Sequence, residues 1–192
     1  MPLQFARISL CQPELKVGNP EYNLDCILQC INSVDSSCKS DIIVFPELSI
    51  VGYTCDDLFH NADLLASAQD QILRLVKYSE SYSYILVVGA PLRTKSGLYN
   101  CAFLIRQGKI LCAVPKCYLP NYSEYYEKRY FDSGLNICDP PEYVRLTEYE
   151  FPLTYYPIIE LFAANSDPIL FTIEICEDLW APFPPSQVAV AH

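Results

Sequence analysis

Three side chains that could carry out acyl transfer each follow an apolar, strand-like stretch of the sequence. Glu47 comes after DIIVFP, Lys116 after KILCAVP and Cys176 after ILFTIEI. In open α/β sheets, functional groups gather at the carboxyl ends of the strands, where loops leave a rigid frame. A thiol there could attack an acyl carbon, a carboxylate could move the proton and an ammonium could hold the oxyanion.

The immediate neighbours of Cys176 work against its reactivity. Three carboxylates lie within two residues of it: Glu174, Glu177 and Asp178. Carboxylates raise the pKa of a thiol and so suppress the thiolate, which is the reactive form. We therefore expect Lys116 to supply the positive charge that opposes them, and Glu47 to act as the general base.

Each of the three residues also has a structural interpretation. A glutamate after Pro46 can belong to a turn, a lysine after Pro115 can be solvated, and a cysteine after a buried strand can simply pack. Ten cysteines compete for any role given to one of them. Placement in the sequence leaves both interpretations open for Glu47, Lys116 and Cys176.

Strand-like and helix-like segments alternate along the chain. The pattern predicts strands over 5–10, 41–48, 84–91 and 168–176, helices over 19–34 and 62–78, and a hairpin over 99–116 that turns at Gln107-Gly108. The two helices carry apolar stripes at helical spacing: Leu24, Ile27, Leu28, Ile31 and Val34 in the first, and Leu65, Ala68, Ile72, Leu75 and Val76 in the second. The Tyr/Pro-rich segment 118–166 is predicted to form long loops over a site.

This order of elements predicts one α/β domain over residues 1–192, with a mixed sheet and helices on one face. The chain stops at PPSQVAVAH, shortly after the last predicted strand and without the covering helix that follows the earlier strands. We therefore expect the C-terminal part of the domain to be missing.

Composition excludes several classes of function. The formal net charge of −10, without a Lys/Arg cluster, argues against a nucleic-acid partner. The N-terminus does not have the pattern of a signal peptide, and no apolar run is long enough to span a bilayer. The ten cysteines are therefore expected to be reduced thiols of a cytoplasmic protein. Zinc is not expected, because the chain has no CxxC and only two histidines; a cysteine-rich metal binder is the alternative.

The sequence motifs around Glu47, Lys116 and Cys176 resemble those of one family. FPELSIVGYTCDDLF, VPKCYLPNYSEYYEKRYF and EICEDLWAPFPPS, in this order and spacing, resemble the nitrilase (carbon–nitrogen hydrolase) superfamily. More closely, they are similar to the N-terminal glutaminase domains of glutamine-dependent NAD+ synthetases. LPNYSEYYEKRYF and EICEDLW are the parts typical of that subfamily. The resemblance implies a nitrilase-like half of an α-β-β-α sandwich.

The resemblance also implies roles for individual residues. Cys176 would be the nucleophile on the carboxamide of glutamine, Glu47 the general base and then acid, and Lys116 an oxyanion donor. The backbone N–H of Glu177 would be the second oxyanion donor.

Further residues match positions that line family sites. Glu127 matches a second glutamate that orients the lysine or meets the substrate amide, and Tyr122 and Tyr53 match aromatic positions of the pocket. Loop packing is the alternative for both tyrosines. Thr172 stands where the family often has glycine, and the segment 151–157 lacks a glycine common in its counterpart.

The resemblance implies partners as well. Family members pass ammonia to a C-terminal synthetase domain, which uses ATP and Mg2+ to amidate nicotinic acid adenine dinucleotide, and they form homo-oligomers. Residues 1–192 contain no motif of that domain, so we expect these residues to bind no cofactor and to have low solubility or activity on their own. The alternatives are a stand-alone amidase acting on another small amide and a non-catalytic fragment.

Overall fold

A seven-stranded mixed sheet forms the centre of the protein. The computed structural model describes residues 5–37, 39–137, 141–162 and 167–191. The strands are β1 (Ile8–Leu10), β2 (Ile42–Val44), β3 (Ile85–Arg93), β4 (Leu98–Arg106), β5 (Lys109–Pro115), β6 (Glu142–Leu146) and β7 (Tyr149–Leu153). Their order in the sheet is β1-β2-β3-β4-β5-β7-β6. Strands β1, β2 and β3 are parallel, β3, β4 and β5 are antiparallel, and β7 pairs parallel with β5 and antiparallel with β6.

Two helices cover one face of this sheet, as the apolar stripes predict. They are α1 (Pro20–Ser37) and α2 (Ala62–Tyr78), and a short third helix, α3, spans Pro185–Ala191. The side chains that enter the core from α1 and α2 include Leu24, Ile27, Ile31, Ala68, Ile72, Leu75 and Val76. Helix α2 begins after Asn61, whose side-chain oxygen accepts hydrogen bonds from the N–H groups of Asp63 and Leu64.

The other face of the sheet carries a small second layer. Strands β8 (Ile159–Leu161) and β9 (Ile169–Phe171) form an antiparallel pair that packs there. Along β4, Phe103 and Ile105 enter the core on the helix side, whereas Ala102 and Leu104 enter the core under β8 and β9. A strand buried on both faces is continuously apolar rather than alternating, which is the pattern seen in the sequence.

The predicted hairpin is confirmed. Strands β4 and β5 pair antiparallel, and Gln107 and Gly108 form the turn with φ of +48° and +72°. Two successive residues of positive φ are typical of the tight turn whose twist matches that of the flanking strands.

The prediction of long loops over 118–166 is wrong in part. Strands β6, β7 and β8 lie within that range, although residues 138–140 and 163–166 are outside the described residues. Val144, Leu146, Phe151 and Leu153 point to the core at every second position. Tyr149 and Pro152, which lie among them, concealed this two-residue period.

The last predicted strand is much shorter than residues 168–176. Only Ile169–Phe171 form a strand, and their side chains are not fully buried. The segment 172–175 then runs as irregular, half-buried backbone to the beginning of a 3₁₀ turn at Cys176. Cys176 is therefore placed by a turn rather than by the end of a sheet strand.

Candidate active site

Glu47, Lys116 and Cys176 lie at one place in the structure. Lys116 directly follows β5, and its Nζ is 2.7 Å from Glu47 Oε1. Glu47 and Cys176 line the same cavity, of about 450 Å³, between the sheet and the segment 172–175. Most of its other lining residues are apolar, among them Val44, Phe45, Val87, Ala102, Ile173 and Ile175. A small, mostly apolar cavity with a few polar groups is typical of a binding site for a small molecule.

The loop that carries Glu47 lies directly against β3. A Cβ atom on Gly89 would lie 2.3 Å from the backbone nitrogen of Leu48 and 2.7 Å from the carbonyl oxygen of Pro46. The Ile50 N–H donates to the Gly89 carbonyl at 3.0 Å, which holds the loop there. Gly89 is thus required for the backbone of this loop to approach the sheet.

Lys116 is a fully buried cation between two carboxylates. Its side chain is 0% exposed, and its Nζ donates to Glu47 Oε1 at 2.7 Å and to Glu127 Oε1 at 2.6 Å. Burial lowers the pKa of Lys116, but the charges and hydrogen bonds of the two glutamates outweigh burial, so its pKa is raised. The ammonium is therefore charged at neutral pH.

Glu127, the second glutamate suggested by the sequence, is buried beside Lys116. Its Oε1 accepts from Lys116 and from the Tyr53 hydroxyl at 2.6 Å. Burial raises the pKa of Glu127, against the lowering effect of these two hydrogen bonds. Its Oε2 is buried and accepts no hydrogen bond from the described residues. Glu127 is not among the residues that line the cavity of Glu47 and Cys176.

Tyr53 supports Glu127 and is not one of the residues that line the cavity. Hydrogen bonds to a charged group contribute about 1.5–3 kcal/mol. We therefore expect Tyr53→Phe to lower the free energy of unfolding by about that amount, measured by denaturant unfolding at pH 7. Tyr82→Phe, which removes a hydroxyl bonded only to another tyrosine hydroxyl, is the control and should cost less. Equal losses in the two variants would contradict the importance of the Tyr53–Glu127 bond.

Cys176 is an exposed residue whose thiol is held as the protonated form. Partial burial at the cavity wall raises its pKa, Glu47 raises it further, Lys116 lowers it, and Glu127 and Glu177 raise it again. Lys116 thus acts on the thiol in the direction predicted from the sequence, but it does not outweigh the carboxylates. The thiol needs a base at the moment of attack, and Glu47 lines the same cavity.

The backbone of Cys176 is also unusual. Its φ is +48°, a left-handed conformation that residues other than glycine rarely adopt. Such conformations cost about 1–3 kcal/mol and cluster at functional sites. Cys176 begins the 3₁₀ turn Cys176–Trp180, and this turn presents its side chain at the cavity.

The two remaining candidates lie at the exposed rim. The Tyr122 hydroxyl donates to Glu177 Oε2 at 2.9 Å, and this hydrogen bond raises the pKa of Tyr122. Glu177 directly follows Cys176 in the chain. Tyr122 and Glu177 line the same open groove. Neither side chain is among those that line the cavity of Glu47 and Cys176.

Two functional residues were missed in the sequence. The buried Asn100 donates through Nδ2 to Glu47 Oε1, and its Oδ1 accepts no hydrogen bond from the described residues. Because a carboxylate only accepts, the atom that faces Glu47 must be the amide nitrogen. Asp178, two residues after Cys176, is buried and accepts three backbone N–H groups. The sequence does contain a signal that could have identified Asn100, because this polar residue lies inside the apolar run LYNCAFLI.

The described part of the chain contains no group of three or more histidine, cysteine or acidic side chains that could hold a metal ion. Within the same ranges, no two cysteines form a disulfide. None of the described helices is long and apolar enough to cross a bilayer.

Comparison with known proteins gives one consistent result. The sequence profile of carbon–nitrogen hydrolases matches residues 7–184. A glutamine-dependent NAD(+) synthetase of Mycobacterium tuberculosis is 35% identical over 189 residues, which are 96% of this chain and 26% of that protein. Among solved structures, a glutamine-dependent NAD(+) synthetase from Cytophaga hutchinsonii superposes with a TM-score of 0.72 at 22% identity, over 82% of this chain and 26% of its own.

A second solved structure, the glutamine-dependent NAD+ synthetase of Acinetobacter baumannii, has a TM-score of 0.66 at 26% identity, over 97% of this chain and 29% of its own. The chain thus spans about a quarter of the length of the relatives it matches. Because the profile match extends over nearly all of its residues, the chain belongs to the carbon–nitrogen hydrolase family.

Proposed function

We propose that this protein hydrolyses glutamine to glutamate and ammonia through a thioester on Cys176. The observation that carries the proposal is the buried Lys116, paired with Glu47 and Glu127 beside a cavity that Glu47 shares with the thiol. The glutamine dependence named in the matched NAD+ synthetases supports glutamine as the substrate.

The proposed acylation begins with a protonated thiol. Glu47 takes the proton of Cys176 as the sulfur attacks the carboxamide carbon. Lys116 and the backbone N–H of Glu177 stabilise the oxyanion. The C–N bond then breaks, and Glu47 gives the proton to the departing nitrogen, so that ammonia leaves and a glutamyl thioester remains.

Deacylation uses the same carboxylate. Glu47 takes a proton from water as the water oxygen attacks the thioester carbon, and it returns that proton to the sulfur as the C–S bond breaks. Glutamate leaves, and the thiol and the carboxylate are restored. The free oxygen of Glu127 would accept an N–H of the substrate amide, while Tyr122 and Glu177 would contact the rest of glutamine at the rim.

The wider role is also a proposal. The released ammonia would be consumed by a synthetase domain that amidates nicotinic acid adenine dinucleotide with ATP and Mg2+, as the family resemblance implies; the names of the relatives support NAD+ synthesis from glutamine. The domain itself would need no cofactor, and the protein would act as a homo-oligomer.

Incubation of the full-length protein with glutamine tests the proposal. We expect equal amounts of glutamate and ammonia, and NAD+ when nicotinic acid adenine dinucleotide, ATP and Mg2+ are added. Hydrolysis of other small amides without glutamine would instead indicate a stand-alone amidase. Release of no glutamate would leave the non-catalytic alternative.

The proposed roles of Glu47 predict a large effect of Glu47→Gln. Its amide can neither take the thiol proton nor return it, so kcat for glutamine should fall about 10²–10⁴-fold. Glu160→Gln, at an exposed position of β8, is the matched control and should retain wild-type turnover. Steady-state assays of glutamate release measure both variants, and a Glu47→Gln enzyme that kept most of its kcat would exclude this carboxylate as the base.

A further inference from the structure

Asp178 joins the two backbone segments that carry the thiol and the ammonium. Its Oδ1 accepts from the N–H groups of Cys117 at 3.0 Å and Tyr118 at 2.7 Å. Its Oδ2 accepts from the Ile175 N–H at 3.3 Å. Cys117 directly follows Lys116, and Ile175 directly precedes Cys176, so one carboxylate holds the backbone next to both groups.

The carboxylate of Asp178 is almost inaccessible, since the residue is 1% exposed. It therefore does not reach the cavity and cannot act on a substrate directly. Burial raises its pKa to about 6, against the lowering effects of the three N–H groups and of Lys116. It carries a negative charge above that pH, and the charge strengthens its hydrogen bonds to the backbone.

The backbone of Lys116 is also held by other hydrogen bonds, whereas the backbone of residues 172–176 is held by few. The Lys116 N–H donates to the Asn100 carbonyl at 2.8 Å, and the Lys116 carbonyl accepts from the Gly134 N–H at 2.8 Å. Residues 172–175 belong to no strand. Two further hydrogen bonds, besides those that Asp178 accepts, join residues 116–122 to residues 172–183 in the described structure. They join Tyr118 to Phe183 and Tyr122 to Glu177, and both lie at exposed positions.

From this geometry we infer that Asp178 is the positioning residue that fixes Cys176 next to Lys116 and Glu47. The inference rests on the proposed function for its catalytic consequence only. The hydrogen bonds keep the left-handed backbone of Cys176 at the cavity wall, and the energy of that strained conformation is offset by the buried carboxylate. A displacement of about 1 Å from the productive geometry can reduce a reaction rate about 100-fold.

The pKa of the Cys176 thiol depends on where the thiol lies in the site, so a measured pKa tests its position. Burial is the largest cause that raises the pKa of Cys176; Glu47, Glu127 and Glu177 also raise it, and Lys116 lowers it. If the turn is released, the thiol leaves this environment and its pKa falls toward the ordinary value of about 8.5. Reactivity toward a small electrophile then increases while catalysis decreases.

Asp178→Asn tests this, because an amide of the same size presents N–H groups where only acceptors fit. We expect glutamate release to fall about 10- to 100-fold. Alkylation of Cys176 by iodoacetamide at pH 8, followed by peptide mass spectrometry, should become faster, because more of the thiol is then deprotonated. The apparent pKa from the pH dependence of alkylation should decrease.

Asn23→Ala is the matched control, because it also removes three hydrogen bonds between a buried side chain and the backbone. Asn23 is 0% exposed, accepts from the Lys16 N–H at 2.7 Å, and donates to the carbonyls of Lys16 at 2.9 Å and Ile50 at 3.0 Å. The control should lose stability without changing the alkylation pKa of Cys176. If Asp178→Asn changes both readouts no more than Asn23→Ala does, the inference is wrong.

Hydrogen exchange of the wild-type protein tests the same hydrogen bonds without any variant. The amides of Cys117, Tyr118 and Ile175 should exchange slowly, and fast exchange at these amides would overturn the inference even if Asp178→Asn does not fold. The proposed function fails separately: a wild-type protein that releases no glutamate contradicts glutamine hydrolysis, while the alkylation and exchange experiments still decide the position of Cys176.

Discussion

The Cys176→Ala variant is expected to release no measurable glutamate from glutamine, a loss of about 10⁴-fold or more. The proposed thioester forms on this sulfur, and alanine offers no nucleophile. The side chain is exposed, so the free energy of unfolding should change by no more than about 0.5 kcal/mol. Steady-state assays of glutamate release and denaturant unfolding measure the two effects.

Cys26→Ala, on the partly exposed side of α1, is the control for the loss of a thiol. It should keep wild-type turnover, because it lies outside the site. Substantial glutamate release by Cys176→Ala would show that another group performs the chemistry.

The second large effect is expected for Lys116→Met, in activity and in stability together. Loss of one oxyanion donor should lower kcat about 10²–10³-fold. The fold is affected as well, because Lys116 is fully buried between two carboxylates. Removing one partner of a buried ion pair costs about 3–5 kcal/mol, so the variant should also unfold more easily at pH 7.

The stability loss in Lys116→Met should depend on pH. Without the cation, Glu127 loses the hydrogen bond and the charge of Lys116 that lower its pKa, so burial and the charge of Glu47 raise the folded-state pKa of Glu127 further. A carboxyl with a raised folded pKa stabilises the fold at low pH and loses that contribution as the pH rises through the folded pKa. The deficit against wild type should therefore be small near pH 4 and grow toward pH 7.

Denaturant unfolding from pH 4 to pH 8 measures this dependence. Lys109→Met, at the exposed beginning of β5, is the matched control and should show neither the deficit nor its pH dependence. A Lys116→Met deficit that is constant over this range would contradict the assignment of the loss to Glu127.

The sequence predicted the groups of the site better than their surroundings. The apolar runs located Glu47 and Lys116 at the ends of core segments, since a run buried on both faces is readable without tertiary information. The need for Gly89 depends on the loop of Pro46 to Leu48 lying against β3, which is a contact between segments about 40 residues apart. No local pattern shows such a contact.

The parts that were missed share this origin. The hydrogen bond of Asn100 to Glu47, and two of the three that Asp178 accepts, join residues more than 50 positions apart in the chain. The strands β6 and β7 were concealed because Tyr149 and Pro152, among the inward-facing residues, resemble a loop composition. The protonated state of Cys176 is a balance of burial and four charges, and only their positions in space decide it.

The most direct test of a glutamine site at Cys176 is covalent labelling of the full-length protein with a glutamine analogue that carries a chloromethyl ketone in place of the carboxamide. The account predicts a single label, on Cys176 by peptide mass spectrometry, that free glutamine prevents and that Lys116→Met slows. Labelling on other cysteines, or labelling of Cys176 that glutamine does not prevent, would contradict it.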